Sequence, residues 1–248
     1  MPRRWFFLTP VVMIAGLCVS SAGGQNPERP QQIELDDYFT LGVITGQVAS
    51  PDGQYVAYTE ARWDKSADGR NVDLWVVETA TQARRCLTFD SAADLSPTWS
   101  PDGRFIYFTS TPKRPGEKKP PYDGKTQVWR IWPGGDAPFA VTRVESGISQ
   151  YELSRDGRSL YYTVGEEQTD DDFKDLRTKH KHLEYGHGVT KLSQVWKLDL
   201  ESWRAEKLID ERRVIRSFAV SPDERRIAMI TTAGDSPMSN EGWSRVDM

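Results

Sequence analysis

Cysteine is almost missing from this chain of 248 residues, occurring only as Cys18 and Cys86. Cys18 lies in an amino-terminal apolar run read below as a removable signal, which leaves Cys86 alone. No intramolecular disulfide is then possible, and the core has to come from packing. Cys86 stands beside Leu87 in a predicted strand, where a buried, inert thiol fits better than a reactive one. Histidine is equally scarce and confined to His180, His182 and His187. Alternate spacing can set two imidazoles on one side of a strand. Here no cysteine joins them and Lys181 separates two of them, so the segment reads as an exposed loop.

Catalytic signatures are missing too. The string nearest to a Gly-x-Ser-x-Gly nucleophile elbow, Gly242-Trp243-Ser244-Arg245-Val246, lacks the second Gly and a strand-to-helix setting. There is no Gly-rich phosphate loop, zinc helix or dinucleotide fingerprint. Glu166 and Glu167 are adjacent carboxylates, but nothing apolar surrounds them to separate their pKa values as glycoside chemistry needs. We assign no catalytic, cofactor-binding or metal-binding residue.

Basic residues are not in excess, since 32 Lys and Arg face 36 Asp and Glu for a net charge of −4. Binding to nucleic acid relies on Lys and Arg neutralising phosphates, so a nucleic-acid partner is excluded. Long apolar runs are absent beyond the first residues, which leaves no membrane span there. The start itself has a basic head, Pro2-Arg3-Arg4, an apolar run from Trp5 to Val19, and small residues at Ser20-Ser21-Ala22. This predicts a signal peptide over residues 1–22 and an exported protein, periplasmic or extracellular, with a mature start near Gly23. An uncleaved anchor is the alternative, and Leu17 before Cys18 argues against a lipoprotein. Removing Arg3 and Arg4 takes the charge from −4 to −6.

What the chain has is a repeat. Ser100-Pro101-Asp102-Gly103 leads into the apolar run Phe105-Ile106-Tyr107-Phe108. Its relatives are Ser50-Pro51-Asp52-Gly53, Ser154-Arg155-Asp156-Gly157 and Ser221-Pro222-Asp223-Glu224, each leading into a similar run. Pro pre-sets φ, Asp bonds its own backbone, and Gly takes the positive-φ position, so each is a turn. Apolar residues on both faces of the following run suit a strand covered from two sides. Two spacings then hold three times. Trp75, Trp129 and Trp196 each lie 27 residues before the Asp of the next turn, and 12 before Leu87, Val141 and Leu208. The unit reads as a turn strand, a Trp strand, a Leu-Thr strand and the strand leading into the next turn.

Four-stranded units of this length indicate an all-β fold, a β-propeller. We expect a flexible lead-in over 23–40 and a partial propeller over 41–248. Its blades fall at about 41–90, 91–145, 146–210 and, incomplete, 211–248. Asp247 is 24 residues after Asp223, where Trp75 is 23 after Asp52. The fourth blade therefore stops near the start of its Trp strand, and the sequence is expected to be a piece of a longer one. Two insertions, Pro112 to Lys125 and Gly165 to Thr190, join the same strand pair in successive blades. They read as solvated loops on one face, or as a charged rim against a partner domain.

The exported start, Asp36-Asp37-Tyr38-Phe39, Asp73-Leu74-Trp75, Leu87-Thr88 and Ser96-Pro97-Thr98-Trp99 before the second turn resemble the amino-terminal propeller of secreted prolyl oligopeptidase family serine peptidases. That family includes dipeptidyl and acylaminoacyl peptidases, and the resemblance covers nearly the whole mature chain. It implies a downstream α/β-hydrolase domain carrying a Ser, Asp, His triad, with the propeller restricting access to short peptide substrates. None of the triad can be placed on this sequence, and Glu166-Glu167 lacks the helical setting of the amine-binding Glu pair of some dipeptidyl peptidases. The Tol-Pal periplasmic propeller and WD-like propellers share the Ser-Pro-Asp-Gly repeat, so a protein-binding module is the second reading. Arg155 in place of Pro and Glu224 in place of Gly depart from the pattern, and a non-Gly residue at positive φ costs about 1–2 kcal/mol.

Overall fold

The computed structural model describes residues 34–167, 178–179, 191–210, 214–231 and 245–247. The predicted signal, the lead-in before residue 34, the three histidines and the acidic run Asp170 to Asp175 lie outside them. Residues 35–40, expected as flexible lead-in, instead form the one-turn helix α1 (Leu35–Thr40). The Asp37 carboxylate accepts the Glu34 N–H at 2.9 Å, which satisfies a free donor at the helix start. Phe39 then packs on the Trp63 ring with centroids 5.5 Å apart.

The other named elements are strands of four antiparallel sheets. Sheet 1 runs β1 (Val43–Ala49), β2 (Tyr55–Asp64), β3 (Gly69–Glu78), β4 (Arg84–Cys86). Sheet 2 runs β5 (Leu95–Trp99), β6 (Ile106–Ser110), β7 (Gln127–Ile131), β8 (Phe139–Ala140). Sheet 3 runs β9 (Gln150–Leu153), β10 (Ser159–Glu167), β11 (Lys191–Asp199), β12 (Ala205–Ile209). Sheet 4 runs β13 (Ile215–Val220), β14 (Ile227–Thr231), β15 (Arg245–Asp247). Strands follow one another in chain order within every sheet. The repeat counted from the turn is thus one strand out of phase, because the leading strand pairs with the strand beyond its own turn. Ser50 N–H, for example, closes that hairpin on Tyr55 O at 2.8 Å.

Side chains alternate across a strand, so a strand between two sheets must be apolar on both faces. In β6, Ile106 and Phe108 pack with Leu74, Val76 and Leu87 of sheet 1. Tyr107, between them, turns the other way to Leu160 and Tyr162 of sheet 3. In β10 the pattern repeats, and Tyr161 packs with Ile215, Phe218 and Met229 of sheet 4. Burying each such side chain contributes about 1.5–3 kcal/mol. The sheets stack face to face.

The third repeat departs from the expected register. Leu87 and Val141 are buried just past the ends of β4 and β8, but Leu208 is 39% exposed. A bulge between Val195 and Trp196 shifts the ladder, and Ile209 takes the core position. Ile209 also stands where Thr88 and Thr142 stand in the first two sheets. There the hydroxyls accept the Leu74 and Val128 N–H groups at 2.8 Å. With no hydroxyl available, β12 carries its pairing through that bulge on to Ile209.

Neighbouring sheets are tied along their first strands. The Trp99 indole donates to Val48 O at 3.1 Å, and the Tyr151 hydroxyl to Ser96 O at 2.6 Å. The Val220 N–H donates to the Glu152 carboxylate at 3.0 Å. Ser96 has φ 54°, at the point where β5 slips register between Leu95 and Thr98.

Candidate functional site

The four repeat turns are one piece of chemistry used four times. In the first, the Ser50 hydroxyl donates to Asp52 Oδ1 at 2.6 Å and accepts the Tyr55 N–H at 2.9 Å. Asp52 Oδ1 also accepts the Gln54 N–H at 3.0 Å, and the Gly53 N–H closes on Ser50 O. Ser100, Ser154 and Ser221 repeat both hydroxyl bonds with Asp102, Asp156 and Asp223. The Ser hydroxyl, and next the backbone N–H, hold the Asp52, Asp156 and Asp223 carboxyls below their ordinary value. Pro51, Pro101 and Pro222 lead these turns, and Gly53, Gly103 and Gly157 take φ of 70°, 69° and 72°. Ser and Asp are the two residues present in all four.

Trp129 and Trp196 face the preceding sheet. Trp129 packs with sheet 1 and Trp196 with sheet 2. Trp75, in the first sheet, is half-buried and stacks on Tyr58 at 6.3 Å. Trp196 Nε1 donates to Gln194 at 3.0 Å, whereas Trp129 Nε1 is buried with no acceptor.

Trp129 lines a cavity of about 450 Å³ between sheets 1 and 2. One wall is the segment after β4, with Leu87, Thr88 and Asp90. The other is built from Phe108, Pro112, Arg114, Tyr122, Asp136 and Pro138 of the second repeat. Asp94 lies at its base and is 2% exposed. Its carboxyl is bonded by the Ser110 and Thr88 side chains, yet burial pushes it up to about 7, with Asp90 and Asp73 adding to the rise. The insertion Pro112 to Lys125 is not a simple solvated loop. Its ends pair through Gly124 N–H to Pro112 O, Tyr122 packs against the core, and the Arg114 guanidinium lies 3.5 Å above the Tyr122 ring. The second insertion is described only in part, with Glu166 and Glu167 extending β10 opposite Leu192 and Lys191. The motifs do not reveal this cavity, because its walls are contributed by two repeats.

Cys86 is half-buried, and its thiol is bonded to Thr88 O at 3.1 Å. Burial, then the Asp73 charge, pushes it up to about 11. Among the described residues no three His, Cys, Asp or Glu are grouped to hold a metal, and no helix is long and apolar enough to cross a membrane.

No protein-family model matches the chain. Over 204 residues it is 28% identical to the "Uncharacterized peptidase YuxL" of Bacillus subtilis, covering 77% of this chain and 30% of that protein. Over 140 residues it is 29% identical to "Dipeptidyl-peptidase 5" of Porphyromonas endodontalis, covering 56% of this chain and 19% of that protein. These relatives are peptidases. A 54-residue stretch is 48% identical to the "Tol-Pal system protein TolB" of Anaeromyxobacter dehalogenans, covering 22% of this chain and 11% of that protein. Among solved structures, the acylaminoacyl peptidase of Pyrococcus horikoshii superposes with a TM-score of 0.53 at 15% identity, over 78% of this chain and 28% of that one. The four sheets are propeller blades. The chain spans under a third of the length of each of these proteins.

Proposed function

We propose that the chain is the non-catalytic propeller portion of an exported serine peptidase of the prolyl oligopeptidase kind. In this reading it admits short peptides to an α/β-hydrolase domain elsewhere in the full protein and helps position them. The carrying observation is the 204-residue match to a named peptidase of which it spans 30%. A propeller whose motifs offer no nucleophile suits that division of labour, because the repeat residues are committed to turns and blade packing. The second reading, a periplasmic protein-binding propeller, is favoured by the 48% identity to TolB over 54 residues.

The deciding experiment is to read the source DNA past the codon for Met248. On the peptidase reading the frame completes further blades and then encodes Gly-x-Ser-x-Gly, followed by Asp and His. Further repeats and a stop without that elbow would favour the binding propeller. Export is tested separately by amino-terminal sequencing of the protein recovered outside the cytoplasm, with a start near Gly23 expected.

A further inference from the structure

The cavity between blades 1 and 2 holds more chemistry than packing requires. Three carboxylates, Asp90, Asp94 and Asp136, line it against one cation, Arg114, whose guanidinium is already stacked on Tyr122. Phe108, Tyr122 and Trp129 give it aromatic walls. The Trp129 side chain is buried, 4% exposed, and its N–H has no acceptor. A buried donor left unpaired carries a desolvation cost that a bound acceptor removes.

Each ligand class can be set against these facts. An anion meets three carboxylates. A hard metal ion gains nothing from aromatic walls. A neutral apolar molecule leaves the Trp129 N–H unanswered. Carboxylates beside aromatic faces favour an organic ammonium, which gains from both the charge and the ring quadrupoles. The Trp129 N–H adds a requirement for a hydroxyl or carbonyl on the same molecule.

We propose that this cavity is a binding site for a small organic amine that carries a hydrogen-bond acceptor, such as an aromatic amino alcohol. The ammonium sits among Asp90, Asp94 and Asp136, the ring lies against Phe108 and Tyr122, and the hydroxyl accepts from Trp129 Nε1. The site draws on neither the peptidase nor the Tol-Pal reading. Its pH dependence follows from Asp94, which burial pushes up to about 7. The charged groups around it are Asp90 and Asp73 on the blade 1 side, and Asp136 and Arg114 on the blade 2 side. An ammonium favours the ionised carboxyl, so affinity rises from pH 6 to pH 8.

The probe is phenylalaninol, titrated by calorimetry into the full-length mature protein at pH 8. Its controls are 3-phenylpropanol, which lacks the amine, and 3-phenylpropionate, which reverses the charge. Phenylalaninol is expected to bind about tenfold or more tightly than either control. Asp94→Asn should weaken it about tenfold and Trp129→Phe about fivefold. Asp90 and Asp136 are exposed, so the pair Asp90→Asn and Asp136→Asn leaves the fold intact and should still weaken binding about threefold each. That pair decides the matter even where Asp94→Asn fails to fold. Equal binding of a control, or amine affinity unchanged in the exposed pair, would overturn the proposal.

Discussion

The Tyr161 hydroxyl of blade 3 donates a 2.6 Å hydrogen bond to the Glu224 carboxylate of the fourth repeat turn. The Lys197 ammonium reaches the same oxygen at 3.0 Å. Glu224 stands where the other turns have Gly, at φ 56°. Its two bonds offset the strain of that conformation. In blades 2 and 3 the turn glycine lies over the proline of the preceding turn, so that a Cβ on Gly103 would sit 3.8 Å from Pro51 Cδ and one on Gly157 3.0 Å from Pro101 Cδ. Before Glu224 that proline is replaced by Arg155. The turn that carries a Cβ at this position thus follows the one turn that lacks the proline ring.

Glu224→Ala keeps the positive φ and loses both bonds, and should cost about 1–3 kcal/mol of blade stability. Glu224→Gly loses the same bonds but relieves the strain, so it should be milder by about 1 kcal/mol. Urea unfolding of the two variants orders them. Equal midpoints would mean that the backbone at residue 224 is not strained.

Gly157→Ala and Gly53→Ala separate backbone strain from blade packing. Both residues have positive φ, but a Cβ on Gly53 meets nothing within 4 Å. Gly53→Ala should cost about 1–2 kcal/mol, and Gly157→Ala about 1–3 kcal/mol more as Cβ meets Pro101. The difference in melting free energy is the observable, and its absence would show that adjacent turns do not touch.

Asp94 should make stability fall as the pH rises. Its folded value, pushed up to about 7, lies above the ordinary 3.8, so the native state binds the proton more tightly than the unfolded chain. Stability from this group is full below about pH 4 and is lost progressively up to about pH 7, on the order of a few kcal/mol in total. Asp94→Asn removes the titration. Denaturation midpoints of the two proteins should therefore diverge in favour of the variant between about pH 4 and pH 7. Parallel curves would mean that Asp94 is solvated.

Cys86 should be unreactive in the folded protein. Its thiol is held at about 11, so the thiolate is scarce at pH 7.5. Iodoacetamide labelling followed by peptide mapping should show Cys86 modified at least about tenfold more slowly in native protein than in urea. Equal rates would place the thiol in solvent.

The all-β fold was legible because turns and tryptophans recur at fixed spacings, and because Tyr107 between Ile106 and Phe108 needs cover on both faces. What the sequence hid is whatever depends on neighbouring blades. Arg155 and Glu224 are 69 residues apart and look like two unrelated lapses. The exchange of Leu208 for Ile209 follows from a bulge that no residue type announces. The cavity draws Asp94 from the link between blades and Tyr122 from an insertion, so no single stretch carries its pattern. The α1 turn is not legible in the repeat, because its capping partners, Glu34 and Asp37, lie before the first unit.

Trp99, Tyr151 and Glu152 fasten each blade to its neighbour along the first strands. Blades 1 and 2 are also held at the fourth-strand side, where Arg85 Nη1 reaches the Pro133 and Gly134 carbonyls at 3.3 and 2.7 Å. Between these two polar ties lies the shared apolar core. Blade 1 is therefore clasped to blade 2 from both sides, and prising them apart means breaking polar contacts at either edge as well as the packed layer between.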